Sequence, residues 1–377
     1  EESGELLKEL AEDPQHPAKV WIAVAMQRIN EPGVEERFER FLSDDDVKIR
    51  RQAVMALPEL GDFDATDLYI MALQDEDVEI WQASRTALSR SNSARAIEAL
   101  HKNLVDRIDK LLPLLSGSDF GEERRTLRQL SDLGQPAALI LFERLEELPE
   151  RPQYILWKII APMRSPEVLE LVLKKLHDPQ IDSSIRKYSE GVVRYMPEKA
   201  RAGVNDLARC DDARVRLSGV RLMRLYDDQQ ATDALHEALE DESSLVRVNA
   251  AAGLAKNKDL RALAVLEELL EVDDPKVLRS AIASLSRYDP EIAVPLLTKL
   301  TNQRHHAVLD AVIRSLGTIK ASEATAAIVE CSEKTPSMKH AAIMALRRQN
   351  TSASVLALGG FLRDPDSNIQ QLARLIL

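Results

Sequence analysis

The stretch Ser244-Leu-Val-Arg-Val-Asn-Ala-Ala-Ala-Gly-Leu254 has two near-copies upstream, Asp46-Val-Lys-Ile-Arg-Arg-Gln-Ala-Val-Met-Ala-Leu57 and Asp77-Val-Glu-Ile-Trp-Gln-Ala-Ser-Arg-Thr-Ala-Leu88. Val246 serves as an anchor, and equivalent positions fall at Trp21, Ile49, Ile80, Ile155, Ile185, Val215, Val277, Val308, Met338 and Ile369. Arg125 is the poorer match that fills the gap between Ile80 and Ile155. From Arg125 onward the spacing is 30 or 31 residues; the earlier spacings are 28, 31 and 45. A self-similar period of this length is the mark of a stacked repeat.

Two further offsets test the register. Eight residues after the anchors come Ile29, Leu57, Leu88, Leu133, Met163, Val193, Met223, Leu254, Leu285, Leu316, Leu346 and Leu377, all twelve apolar. Four residues after them, nine of twelve are small, among them Ala53, Ser84, Gly219, Ala250 and Ala281. Offsets 0, 4 and 8 share one face of an α-helix. A small residue midway along that face lets another helix approach closely. Each anchored helix, here called B, follows a second apolar stretch, helix A, such as Arg261-Ala-Leu-Ala-Val-Leu-Glu-Glu-Leu-Leu270. Between the two lies an acidic turn such as Ser43-Asp-Asp-Asp46 or Asp273-Asp-Pro275. Asp and Ser cap helix N-termini, and acids suit the positive end of the dipole.

Composition agrees. The 377 residues are 45% hydrophobic and only 4% aromatic, with 13 glycines, which disfavours a sandwich or barrel. Lys and Arg number 50 against 62 Asp and Glu, a net charge of −12 that argues against nucleic acid or an anionic membrane as the general partner. Cys210 and Cys331 cannot frame a disulfide scaffold or a Cys-rich zinc site. No run approaches the roughly 20 apolar residues of a membrane span.

The Asp-rich turn followed by Val-Arg, alanines and a leucine, as in Ser244 to Leu254, resembles the HEAT-repeat family in its short form of about 30 residues, similar to the repeats of phycobilin lyase-like proteins. The likeness is clearest after Asp206 and weakest between Ala94 and Arg151. The Trp/Leu-Gly/Tyr pattern of tetratricopeptide repeats and the Thr-Pro-Leu-His of ankyrin repeats are missing. The resemblance implies an all-α, right-handed solenoid of about twelve helix pairs, A helices convex and B helices concave. At 8–10 Å between helices, twelve units would span on the order of 100 Å.

The 45-residue spacing leaves extra sequence at Ser93 to Ser118. Within it, Ala94 to Leu112 reads as one long helix ending near Pro113. The expected organisation is an array of three repeats over 1–92, a connecting helix and joint over 93–121, and nine repeats over 122–377. The chain starts at Glu1 and stops inside a helix B at Leu377 without a polar cap, so the expectation is a piece of a longer protein or an end that meets a partner.

No catalytic, cofactor or metal motif stands out in the sequence. The seven histidines form no His-Glu-x-x-His pair. His305-His306 reads as a solvated loop, and His236-Glu237 as one isolated pair on a polar face. Gly359-Gly360 makes no phosphate loop, and no Gly-x-Ser-x-Gly elbow occurs. The expected chain is therefore not an enzyme and carries no cofactor or metal.

The remaining signals concern binding. Arg164, Arg194 and Arg224 lie nine residues after consecutive anchors; Arg347 repeats that offset, and Lys256 and Arg287 fall one residue later. They read either as cations offsetting helix dipoles or as a basic stripe for an acidic segment of a protein partner. Arg50, Arg186, Arg216 and Arg247, one residue past their anchors, read as structural partners for turn aspartates. Trp21, itself an anchor, reads as core. Trp81, Trp157, Tyr188 and Tyr195 lie in or beside B helices and read as core or as partner anchors. The leading expectation is a non-catalytic protein-binding scaffold or regulatory solenoid, soluble and cytoplasmic or carried by a membrane-attached protein. The alternatives are a domain docking on a bacterial transporter or signalling protein, and a HEAT-type enzyme resembling bilin lyases or DNA glycosylases.

Overall fold

The structure, a computed structural model, describes residues 2–11, 16–117, 119–302 and 305–377. Among them are 24 α-helices and no strand. They form twelve A–B pairs, grouped into two compact units, Glu1–Val168 and Leu169–Leu377.

The first unit holds α1 (Glu2–Ala11) and α2 (Lys19–Arg28), α3 (Val34–Leu42) and α4 (Val47–Ala56), α5 (Thr66–Ala72) and α6 (Val78–Leu88), α7 (Ala94–Leu111) and α8 (Phe120–Asp132), α9 (Ala138–Arg144) and α10 (Glu150–Met163). The boundary between the units falls within α11 (Pro166–Leu176), which pairs with α12 (Ser183–Val193). The second unit continues with α13 (Pro197–Ala208) and α14 (Ala213–Met223), α15 (Gln229–Glu237) and α16 (Ser244–Leu254), α17 (Leu260–Leu269) and α18 (Pro275–Leu285), α19 (Pro290–Lys299) and α20 (His306–Leu316), α21 (Ser322–Lys334) and α22 (Lys339–Gln349), α23 (Ser352–Phe361) and α24 (Ser367–Ile376). Within this unit the B helices α12 to α24 pack each on the next, and each A helix from α13 to α23 packs on its own B helix.

Sequence explains where the helices begin. The side chains of Asp46, Asp77, Asp182, Asp212, Asp274 and Asp366 accept hydrogen bonds from backbone N–H groups of the first turn of α4, α6, α12, α14, α18 and α24. Each satisfies donors that have no partner inside the helix, worth about 1 kcal/mol per cap. The arginines just past the anchors tie these turns together. Arg50 reaches Asp75 of the next turn at 2.7 Å, and Arg216 reaches Asp241 at 2.7 Å. Arg186 bonds its own turn, at the carbonyls of Leu176 and Asp178, and Arg247 pairs with Glu268 at 3.2 Å.

The small position does what its spacing predicts. A Cβ added at Gly219 would sit 2.2 Å from the backbone nitrogen of Ala208, so α13 and α14 meet there backbone to backbone. Ala250, Ala281, Ala342 and Ala373 are fully buried at the equivalent positions.

Two anchors are placed differently from the sequence reading. Trp21 is 50% exposed, and Val20, Ala23 and Val24 take the core side of α2. Every residue from Val20 to Met26 is apolar, so periodicity alone does not choose a face, and the smaller side chains fill the space. In α8, Arg125 and Gln129 are exposed, and the buried stripe runs through Thr126, Leu130 and Leu133. A turn of about 100° per residue carries the guanidinium out to water, avoiding the cost of burying a charge.

The long helix expected at Ala94 is α7, 18 residues, followed by a tight turn containing Pro113. It lies inside the first unit, packed on α5, α6, α8 and α9.

Candidate partner-binding site

The second unit gathers arginines from three repeats at one place. Arg194 caps the C-terminus of α12 and Arg224 that of α14. Arg221 stands one turn earlier on α14, and Arg287 follows α18. Arg224 lies across α16: a Cβ on Gly253 would be 3.0 Å from its Cγ. Arg287 comes to the same place from the other side, its Nη1 donating to the carbonyl of Ala252 at 3.2 Å. Glycine at 253 therefore makes room for the arginine of the preceding repeat.

The electrostatics are one-sided. Burial lowers the affinity of the Arg224 guanidinium for its proton, and the charges of Arg287, Arg194 and Arg221 push it further down. Among the described residues, the side chains of Arg194 and Arg224 have no hydrogen bond or ion pair. One acid faces the cluster. Glu190 of α12 is only 6% exposed, and its Oε1 lies 3.8 Å from Arg221 Nη1 with no hydrogen-bond donor of its own. Burial raises the pKa of this carboxyl above the usual range, against the pull of Arg221, Ser218, Arg194 and Arg186. A single buried carboxylate with an unused acceptor cannot neutralise four guanidinium groups. The site therefore carries surplus positive charge in an acidic protein.

The residues singled out from sequence have different fates. Arg194 and Arg224 belong to the cluster. Arg164 belongs to the first unit, where it caps α10 in a left-handed conformation, φ 55°. Trp81 is buried: its Nε1 donates to Asn103 Oδ1 at 3.0 Å, and Arg107 and Arg85 lie over the ring at 4.6 and 5.2 Å. Trp157 is buried edge-on against Phe142, centroids 5.7 Å apart. Tyr188 is half-buried, whereas Tyr195 is exposed beside Arg194. Sequence reading passed over Glu190 and Arg221. The signal for Glu190 was present: it stands five residues past its anchor, where the next five repeats have Val220, Ala251, Ile282, Ile313 and Ile343, all buried. Arg221, in the last turn of α14, is echoed at its offset only by Arg314 and gave no one-per-repeat pattern.

Elsewhere, His236 Nε2 bonds the N-capping Asp259 at 2.9 Å. Cys331 is buried, and burial pushes its thiol pKa up. Among the described residues no three His, Cys, Asp or Glu side chains gather as a metal set, and no helix is long and apolar enough to cross a membrane.

A family model for HEAT repeats matches residues 3–89, 34–112, 204–286 and 273–347, more than half of the sequence. The chain belongs to the HEAT-repeat family. Among solved structures this HEAT-repeat chain is similar to an engineered protein, at 18% identity over 98% of this chain and 97% of that one, TM-score 0.29. It is also similar to Kap121p, at 11% identity over 99% of this chain and 53% of that one, TM-score 0.45, so it spans about half of that protein. A third similarity is to the complex of CpcE and CpcF of phycocyanin lyase from Nostoc sp., at 15% identity over 71% of this chain and 93% of that one, TM-score 0.34. A search of curated proteins finds no match.

Proposed function

We propose that this HEAT-repeat chain is a non-catalytic binding scaffold that takes a protein partner at the C-terminal ends of its B helices, where an acidic segment meets Arg194, Arg221, Arg224 and Arg287. The observation that supports this reading is Arg224, partly desolvated among three like charges and without an ion pair among the described residues. Clustered like charges cost folding stability, and a complementary anionic partner repays that cost through charge-assisted hydrogen bonds. An extended acidic segment supplies several carboxylates at once, and a surface field of this sign steers it in. The non-catalytic part of the reading rests on the architecture, in which the helices serve stacking and the gathered side chains are cations suited to holding an anion.

The test uses the double variant Arg194→Ala/Arg224→Ala, which leaves Arg221 beside Glu190. A fluorescent oligoglutamate peptide should bind the parent at low salt and weaken toward physiological ionic strength, where the Debye length is about 8 Å. The variant should lose about tenfold or more in affinity while its melting temperature holds or rises. A drop in melting temperature with unchanged affinity would identify these arginines as helix caps only and end the proposal.

A further inference from the structure

We propose that the acidic segment is bipartite, with two acidic clusters centred about eight residues apart, and that a second basic site on α20 and α22 takes the distal cluster. The inference rests on the reading above and adds the spacing and the second site.

The positions six residues past the anchors form a row along the B-helix stack, buried at Ala252 of α16 and open elsewhere. From α14 to α22 the row reads Arg221, Ala252, Ala283, Arg314, Met344. Two arginines are thus separated by two alanines. The second arginine opens a cleft of about 560 Å³, lined by Asp310, Arg314, His340, Met344, Arg347 and Arg348. Among the described residues Arg314 pairs only with Asp310 on its own helix, at 2.8 Å, and its side chain is 71% exposed. Arg347, Arg348 and His340 have no ion pair among the described residues. Three arginines against one aspartate repeat, at this end of the unit, the surplus found around Arg224. Between the two sites, Arg279 turns back to the carbonyl of Pro275 at the start of its own helix.

The stack sets the spacing. Helices α14, α16, α18 and α20 pack consecutively, and three steps of about 8–10 Å separate Arg221 from Arg314 by about 24–30 Å. An extended chain advances about 3.3 Å per residue, so about seven to nine residues bridge that gap. Both sites lie at the C-terminal ends of B helices of one unit, so a single segment reaches both. Its second contact then forms at the effective concentration set by the linker.

Two peptides of equal charge test this on the full chain. Each carries three glutamates, a Gly-Ser spacer and three more glutamates; one spacer has a single residue and the other about five, which matches the bridge. The longer peptide should bind at least about tenfold tighter. The variant Arg314→Gln/Arg347→Gln/Arg348→Gln should remove that advantage, keep the shorter peptide's binding at the Arg224 site and melt with the parent. Equal affinity of the parent for the two peptides, or an advantage that survives the triple variant, overturns the bipartite proposal and leaves the single-site reading standing. Failure of both peptides to bind the parent overturns both.

Discussion

In the second unit, the repeats anchored at Val215, Val246, Val277, Val308 and Met338 bury all three positions of the 0, 4, 8 stripe. In the first unit only the repeat of Ile80, Ser84 and Leu88 does so. There α2 buries Val20 and Val24, α8 buries Thr126 and Leu130, and α10 buries Leu156 and Ile160, each one residue off the shared register. The second unit is stacked through small side chains at helix crossings. Polar ties join repeats in both units: in the second, Gln349 of α22 donates to the carbonyls of Leu316 and Ile319, and in the first the 18-residue α7 sends Asn103 to Trp81 and to the carbonyl of Leu73, while its Asp109 pairs with Arg144 of α9. A repeat in strict register transmits its geometry to the next one.

The comparison is broken most readily at Gly219. Gly219→Ala places a methyl group 2.2–2.7 Å from the backbone of Leu207 and Ala208, which cannot move aside as a side chain would. The expected loss in denaturant unfolding is about 3 kcal/mol or more. A variant as stable as the parent would show that α13 and α14 do not touch there.

Next come Ala250→Leu and Ala281→Leu, each overpacking a buried crossing at about 1–3 kcal/mol. At the same position of α2, where the helix is turned by a residue, Ala25→Leu falls on a half-buried site and should cost about 0.5 kcal/mol or less, whereas Ala53 in α4 is as buried as Ala250. Equal costs at Ala25 and Ala250 would erase the distinction drawn here.

Polar ties should matter in the first unit. Trp81→Phe leaves Asn103 Oδ1 buried without its donor, a loss of about 1–3 kcal/mol. If calorimetry finds Trp81→Phe neutral, packing alone holds this region.

Smaller effects separate two acids of the second unit by pH. Asp228 is held down to about 2, first by Arg201, whose two nitrogens reach it at 2.6 and 2.7 Å, and then by the N–H of Ala231. Its folded pKa lies below the unfolded value of 3.8, so its contribution is present above about pH 4 and is lost as pH falls toward 2. Asp228→Asn should flatten that limb of an acid melt. Glu190 has the opposite sign. Its folded pKa is raised by burial, so the favourable contribution exists below the unfolded value of 4.5 and disappears as pH rises through the folded one. Glu190→Gln should therefore match or exceed the parent's stability at neutral pH, with the gap closing toward pH 4. A variant that is less stable at pH 7 would show that Glu190 is needed as a counter-charge to Arg221.

Sequence alone determined the repeat, the helix pairs, the aspartate caps and the close approach at the small position. Each of these is local or periodic: a cap involves residues two or three apart, and a 30-residue period shows itself by recurrence. It also marked Arg194 and Arg224 by that recurrence. Tertiary structure alone decided which way α2 and α8 are turned, because an all-apolar run, or a polar residue at an anchor, leaves the face to be chosen by neighbours. It placed Trp81 and Trp157 in the interior, since an indole at the margin of a stripe is covered or exposed according to what packs beside it. It also brought Arg221 and Arg287 to Arg224 and set Glu190 beneath them. Those residues lie on three different repeats, and only stacking brings side chains so far apart in sequence to one charged site.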